Sequence, residues 1–129
     1  MLVLALSASQ FLGFVSVNGQ SSLNKIDSSR RTVGILIFDN AEVLDFAGPF
    51  EVFSVSNQIH NNELFDVSII AKSKDPVSAV NGLSVNPDHS FEDAPDLDIL
   101  IISGGMGAGL LLNDQETLFW VRETVEKAE

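Results

Sequence analysis

Two uninterrupted apolar runs constrain the fold of this chain more than any other feature of its sequence. The first is Val33 to Phe38, and the second lies at the C-terminal end of the segment Asp96 to Ile102. Each run has the length of a β-strand, and a strand without polar alternation is typical of a parallel sheet that is covered on both faces. The two runs therefore predict buried strands of an α/β domain.

Helix and strand patterns alternate between these runs. Pro49, which the first turn of a helix tolerates, opens a predicted helix from Pro49 to Gln58. Phe65 to Ala71 is a further predicted strand, and Val77 to Val85 predicts a short peripheral hairpin that turns at Asn81-Gly82. The alternation predicts one doubly wound α/β domain.

The last segment of the chain predicts a helix from Gln115 to Lys127. Either Asn113 or Asp114 can cap its first turn. Apolar residues recur there at three- and four-residue spacing: Leu118, Val121 and Val125. This spacing is typical of a helix that packs one face against a core, where we also expect Trp120.

The first 19 residues predict a secretory signal peptide. Leu2 to Val17 is an apolar run interrupted by serine, glutamine and glycine, and no charge precedes Lys25. The run is shorter and more polar than a membrane-spanning helix requires. We expect a leader at 1–19, a linker at 20–31 and the folded part at 32–129. A cytoplasmic location is the alternative, because the leader has no basic residue.

Composition argues against several classes of function. The net charge of −11, with only seven basic residues, disfavours binding to nucleic acid or to an anionic membrane surface. The chain has no cysteine, which excludes a disulfide framework, a thiolate zinc site and a cysteine nucleophile within these 129 residues. His60 and His89 stand outside any metal-ligand spacing and are expected at the surface. No metal or cofactor is implied.

Asp45 is the first candidate site residue. The segment 39–49 follows the first strand, and ligands gather beyond the carboxyl ends of parallel strands. A carboxylate among apolar residues at that place suits proton donation or acceptance. The alternative, which spacing alone favours, is that Asp45 caps the following helix. Glu42 and Glu51 are expected to be solvated.

The second candidate segment is the glycine-rich stretch Ser103 to Gly109, which follows the last predicted strand. Its glycines would let backbone N–H groups approach a ligand and form a nest for an oxyanion. A tight, closely packed turn between strand and helix is an equal alternative. The stretch does not match the Gly-x-Gly-x-x-Gly pattern of nucleotide-binding loops, because Leu110 stands where the third glycine is required. Ser103 does not lie in the Gly-x-Ser-x-Gly motif that surrounds the nucleophile of serine hydrolases.

The segment Leu44 to Phe53 (Leu-Asp-Phe-Ala-Gly-Pro-Phe-Glu-Val-Phe), together with Asp96 to Gly105, resembles the DJ-1/PfpI superfamily. The resemblance extends over residues 33–128. It is nearest to the isonitrile hydratase-like branch and to the amidotransferase-like domains of AraC-type regulators. It implies a flavodoxin-like fold of the class I glutamine amidotransferase type, incomplete on its C-terminal side, and commonly a homodimer.

The same resemblance implies roles for four residues. Asp45 stands where the family places the acid that contacts its nucleophile, and the N–H of Gly105 stands at the oxyanion position. Gly104 and Met106 are expected to contact a small-molecule substrate.

The family's cysteine nucleophile lies on an elbow that follows a helix like Gln115 to Lys127, whereas this sequence ends at Glu129. We therefore expect part of a cysteine-dependent hydratase, a lyase, that is inactive as it stands. The alternative is a non-catalytic module that senses a ligand or forms a dimer.

Overall fold

The computed structural model describes residues 30–60 and 64–127, apart from the side chain of His60. The strands are Arg31–Leu36 (β1), Phe65–Ala71 (β2), Val77–Ser78 (β3), Ser84–Val85 (β4), His89–Ser90 (β5) and Ile99–Ile102 (β6). The helices are Val43–His60 (α1), Ala108–Leu111 (α2) and Gln115–Lys127 (α3). The predicted signal peptide and the linker up to residue 29 lie outside the described residues, as does the surface prediction for the His60 side chain.

Four strands form a parallel sheet in the order β5-β2-β1-β6. β1 pairs with β2 from Arg31↔Phe65 to Leu36↔Ile70, and with β6 from Val33↔Ile99 to Leu36↔Ile102. The mostly parallel α/β architecture expected from the apolar runs is confirmed.

The hydrophobic core is centred on β1. Val33 and Ile35 are 0% exposed, and the apolar run continues into Ile37 and Phe38 beyond the end of the strand. A Cβ at Gly34 would lie 2.5 Å from Leu97 Cδ1, so that side chain occupies the space a larger residue would need. The run reads as apolar throughout because both faces of this strand are covered.

α1 begins at Val43, so the predicted start at Pro49 was wrong. Pro49 lies well inside the helix, where its missing N–H forgoes one backbone bond. Phe46 is buried in the core, and Phe53 packs edge-on against Phe65 with ring centroids 4.8 Å apart. This burial stabilises the helix on both sides of the proline and overrides the local signal.

The hairpin prediction is confirmed. β3 and β4 pair antiparallel from Val77↔Val85 to Ser78↔Ser84. The connection contains a 3₁₀ turn, in which Asn81 and Gly82 adopt φ values of 61° and 79°. Asparagine and glycine tolerate this left-handed region better than other residues.

The segment 96–102 differs from its prediction. Strand β6 spans only Ile99–Ile102, and Ile102 is 47% exposed instead of buried. β6 has β1 on one side, and no strand of the described residues pairs with its other side. The apolar run identified a strand correctly, but burial depends on a neighbour that the pattern does not reveal.

α3 has the bounds that its spacing predicts, and Asp114 is its cap. The Asp114 carboxylate accepts hydrogen bonds from the N–H of Glu116 at 3.2 Å and from the Thr117 hydroxyl at 3.0 Å. Trp120 is half-buried and stacks on Phe91 with centroids 4.4 Å apart. Val125, expected on the packed face, is 56% exposed. Within the residues described, no helix has the length and apolar character needed to cross a bilayer.

Candidate functional site

The candidate site lies at the switch point of the sheet, between the carboxyl ends of β1 and β6. The chain after β1 continues toward β2 on one side, whereas β6 lies on the other side of β1. Open α/β sheets bind ligands in the crevice that such a reversal creates. The two segments that were expected to collect ligand groups, 39–49 and 103–109, both enter this crevice.

The loops after β1 and β6 are joined by backbone hydrogen bonds. Ala41 and Gly105 form an isolated antiparallel bridge. The Glu42 N–H donates to the Gly104 carbonyl at 2.9 Å, and the Gly107 N–H donates to the Asn40 carbonyl at 3.2 Å. Asn40 adopts a positive φ of 60°, in keeping with the turn that Asp39-Asn40 predicts after the first strand.

Asp45 lies in the first turn of α1, and its carboxylate reaches across to the glycine-rich loop. Its Oδ2 accepts a hydrogen bond from the Gly104 N–H at 2.9 Å. The helix-cap alternative is not what the structure shows, because Asp45 lies inside the helix and its carboxylate binds the loop after β6. Asp45 is exposed, so its remaining lone pairs face solvent.

Three glycines of the loop lie where a side chain would collide. A Cβ at Gly104 would be 2.6 Å from Asp45 Oδ2, and one at Gly105 would be 2.5 Å from the Asn40 carbonyl oxygen. Gly105 also has a φ of 122°, and a Cβ at Gly107 would overlap the Asp39 carbonyl oxygen. Close packing of the two loops therefore requires glycine at Gly105 and Gly107, whose neighbours are backbone atoms, whether or not the loop binds a ligand, whereas a side chain at Gly104 would displace the Asp45 carboxylate.

One backbone donor of the loop is open. Across the described ranges, no protein group accepts a hydrogen bond from the Gly105 N–H, whereas the Ala41–Gly105 bridge turns the Met106 N–H toward the Asn40 carbonyl. The Met106 side chain is 85% exposed. An open amide beside a carboxylate-bound amide is the kind of donor that can stabilise negative charge on a ligand oxygen.

Ser103, at the end of β6, adds a buried hydroxyl next to these donors. The residue is 3% exposed, and its Oγ has no hydrogen-bond partner among the residues that the structure describes. A buried polar group in this state is unusual. Sequence reasoning weighed Ser103 only as a nucleophile and did not anticipate its burial.

The other polar candidates either lie at the far edge of the sheet or are exposed. His89 lies on β5, on the opposite edge of the sheet from β6, and is half-buried instead of lying on the surface as expected. Glu42 and Glu51 are exposed, as expected. In the ranges covered by the structure, no group of three or more His, Cys, Asp or Glu side chains is placed to hold a metal ion.

Residues 31–129 match the sequence profile of the DJ-1/PfpI family. Isonitrile hydratase from Pseudomonas putida is 32% identical over 96 residues, which cover 74% of this chain and 40% of the hydratase. The HTH-type transcriptional regulator GbdR from Pseudomonas aeruginosa is 30% identical over 77 residues, which cover 60% of this chain and 21% of the regulator.

A solved structure shows the same arrangement of strands and helices. The crystal structure of a ThiJ/PfpI family protein from Pseudomonas syringae superposes with a TM-score of 0.65 at 26% identity. The match covers 93% of this chain and 48% of that protein. The chain thus spans less than half the length of each of these relatives.

Proposed function

The chain belongs to the DJ-1/PfpI family, and on that premise we propose that it supplies the acid and the amide donors of an isonitrile hydratase-like site. Asp45 is the acid. Gly105 provides the main oxyanion donor, Met106 a second amide, and Gly104 the backbone contact that orients Asp45. The chemistry is the hydration of a small electrophilic carbon.

Hydration of an isonitrile adds one water molecule and yields an N-substituted formamide. A thiolate attacks the terminal carbon, which takes up a proton. Water then adds to that carbon and gives one of its protons to the nitrogen. The thiolate leaves as the oxygen loses its other proton to the acid, which replaces the proton given to the carbon, and the oxygen becomes the formamide carbonyl. An acid that takes up and returns protons lowers the barrier of these steps. Amides that face the oxygen as it gains negative charge lower it further.

The hydrogen bond from the Gly104 N–H to Asp45 Oδ2 carries this proposal. It joins an acid from α1 to the loop after β6 at 2.9 Å, in the crevice where open sheets bind ligands. The neighbouring amide of Gly105 has no protein acceptor among the described residues and is available to a ligand oxygen. A helix cap would have directed the same carboxylate toward its own helix.

The nucleophile must come from outside these residues, because the chain has no cysteine. We therefore expect the 129-residue chain alone to leave an alkyl isonitrile unchanged. Proton NMR of the reaction mixture would detect the formyl hydrogen of any product. Formamide production above the protein-free rate would show that the thiol is dispensable and would contradict this part of the proposal.

A binding measurement tests the site itself. The ¹⁵N-labelled chain is titrated with N-methylformamide, whose carbonyl oxygen stands in for the product. We expect the amide signals of Gly105 and Met106 to shift the most. Asp45→Asn should weaken that response, whereas Glu51→Gln, an exposed change on the same helix, should leave it unaltered.

Two outcomes would contradict the site. One is a set of shifts spread evenly over the surface, and the other is an equal response from the Asp45 and Glu51 variants. Wild type and both variants are first compared by circular dichroism, so that loss of folding is not mistaken for loss of the site.

A second candidate function is a non-catalytic module for ligand sensing or dimerisation, which the similarity to a transcriptional regulator favours. Sequencing the full-length transcript past the codon for Glu129 distinguishes the two. A continued frame with a cysteine elbow alone supports the hydratase-like function, and an added helix-turn-helix domain supports the regulator. Sedimentation equilibrium tests the homodimer that the family resemblance implies.

We also propose that the protein enters the secretory pathway through its apolar leader. N-terminal sequencing of the protein recovered from expressing cells tests this. A mature terminus near Gln20 supports processing. An intact Met1 in the cytoplasm would support the alternative location.

A further inference from the structure

A second cavity lies beyond the carboxyl ends of β1 and β2, on the side of β1 that faces away from β6. Its volume is about 340 Å³. The chain segments that follow the two strands form one wall, and α2 and the start of α3 form the other. We propose that this cavity binds a small organic ammonium ion that carries an aromatic or apolar body.

The apolar part of the cavity suits such a body. The apolar residues that line the cavity include Phe38, Val77, Phe91 and Leu111. Phe91 is held in place by stacking on Trp120 with ring planes 10° apart. Aromatic rings attract cations over their faces, so the same walls that accept an apolar body also tolerate a nearby ammonium group.

The one lysine that lines the cavity is already neutralised. Lys72 Nζ lies 2.8 Å from Asp114 Oδ2 and 2.9 Å from Glu116 Oε2. These hydrogen bonds to Asp114 and then Glu116 raise the pKa of Lys72. Lys74, two residues further along, is paired with Asp93. Both lysines therefore offer little free positive charge to an incoming anion.

Two lining carboxylates remain without a cation. Asp39 Oδ1 accepts the Ser78 N–H at 2.9 Å, and Asp75 Oδ2 accepts the Ser73 hydroxyl at 3.0 Å. Neither forms an ion pair with any described residue. Each keeps lone pairs for a further donor, so the cavity presents net negative charge beside its aromatic walls.

This charge distribution selects among ligand classes. An anion would meet Asp39 and Asp75 without a free cation to offset them, and a neutral body would leave their charge unpaired. A metal ion lacks ligands, since no cluster of three or more coordinating side chains occurs among the residues described. An ammonium group donates to carboxylates while its organic body fills the apolar space. The chain's net charge of −11 further favours the approach of a cation.

Three probes of similar shape test the proposal on the 129-residue chain. Benzylamine is protonated at neutral pH, benzyl alcohol is uncharged and benzoate is negative. Trp120, the only tryptophan, reports ligand entry through its contact with Phe91, and ¹⁵N amide shifts locate the site. We expect benzylamine to bind at least roughly fivefold more tightly than benzyl alcohol, because two carboxylates attract its charge, and benzoate not to bind.

Paired variants distinguish binding in the cavity from nonspecific attraction of a cation to the negatively charged chain. Asp75→Asn should weaken benzylamine binding roughly two- to fivefold, the range of one exposed charge contact. Asp66→Asn, an exposed change at the opposite end of β2, should leave it unchanged. Asp45→Asn should also have no effect, so this site and the proposed hydratase-like site can fail independently.

Several results would overturn the inference. They are an absence of saturable binding, equal affinity for the three probes, shifts confined to residues away from the cavity lining at 36–39, 71–77, 91 and 111–117, and equal loss in the Asp66 and Asp75 variants.

Discussion

β1 and β6 are neighbouring parallel strands with similar apolar sequences, yet they differ in burial. Val33 and Ile35 on β1 are inaccessible, whereas Ile102 on β6 is almost half exposed. β1 has a strand on each side, and β6 has one only on its inner side in the part of the chain that the structure describes. An apolar run thus identifies a strand, while its neighbours determine how much of it is buried.

The two edge strands of the sheet, β5 and β6, are anchored in the same way. Asp98 precedes β6 and exchanges two hydrogen bonds with Thr32, its N–H donating to the carbonyl at 2.9 Å and its carboxylate accepting the N–H at 2.6 Å. Asp88 precedes β5 and makes the same exchange with Ile69, at 2.8 Å for each bond. Both edge strands therefore begin with the same pair of hydrogen bonds to their inner neighbour.

The largest expected effect separates the two strands directly. Ile35→Ala should lower the free energy of unfolding by about 3 to 4 kcal/mol, because it removes a buried side chain and leaves a cavity. Ile102→Ala should cost less than about 1 kcal/mol, since much of that side chain already contacts water. Urea unfolding followed by circular dichroism measures both. Equal losses would mean that β6 is covered as completely as β1.

Next in size is the effect of a change in the glycine-rich loop after β6, which is hydrogen-bonded to the loop after β1 at the candidate site. Gly105→Ala should cost about 2 kcal/mol, because its positive φ and its contact with Asn40 both oppose a side chain. Gly109→Ala is the matched control: nothing lies within 4 Å of its Cβ position, and alanine favours a helix by up to about 1 kcal/mol. Thermal unfolding ranks the two. A neutral Gly105 variant would show that the loops pack less closely than described.

A smaller effect is expected from the side-chain hydrogen bonds that connect α1 to the start of β2. The Asn57 side chain donates to the Phe65 carbonyl at 2.8 Å and accepts the N–H groups of Leu64 and Phe65. Asn57→Ala should lower the free energy of unfolding by about 1 to 2 kcal/mol, because these half-buried groups lose their partner. The exposed neighbour Gln58→Ala should change it little. Urea midpoints of the two variants decide whether this side of the sheet depends on that side chain.

The smallest expected effect is the contribution of a surface ion pair near β2 to the stability of the fold, which depends on pH. The hydrogen bond from Lys74, assisted by those from Ser90, holds the pKa of Asp93 well below its usual range. A carboxyl with a depressed folded-state pKa stabilises the protein above the unfolded value of about 4, and this contribution is lost as the pH falls through the folded pKa.

Lys74→Met removes the main cause of that shift. The difference in urea midpoint between wild type and Lys74→Met should therefore be constant near neutral pH and shrink below about pH 4. A difference that stays constant into strong acid would mean that the pair does not couple to folding.

The sequence by itself determined the elements that depend on local chemistry. The bounds of β2 and α3, the presence of β1 and the hairpin at Asn81-Gly82 follow from apolar spacing and turn preferences, which act over a few residues. Gly104 and Gly105 could be singled out for the same reason, since glycines after a strand signal a close backbone approach. The family resemblance added Asp45 as an acid, against the local preference for a helix cap.

Only the tertiary structure decided the features that depend on distant partners. The contact of Asp45 with Gly104 joins residues 59 positions apart, and it exists because parallel strands bring their carboxyl ends together. α1 begins before Pro49 because Phe46 is buried and the partly buried Phe53 packs against Phe65, which outweighs one missing backbone bond. The exposure of Ile102 reflects the lateral neighbours of β6. Such features are set by which surfaces meet after folding, and no local window of the sequence contains both surfaces.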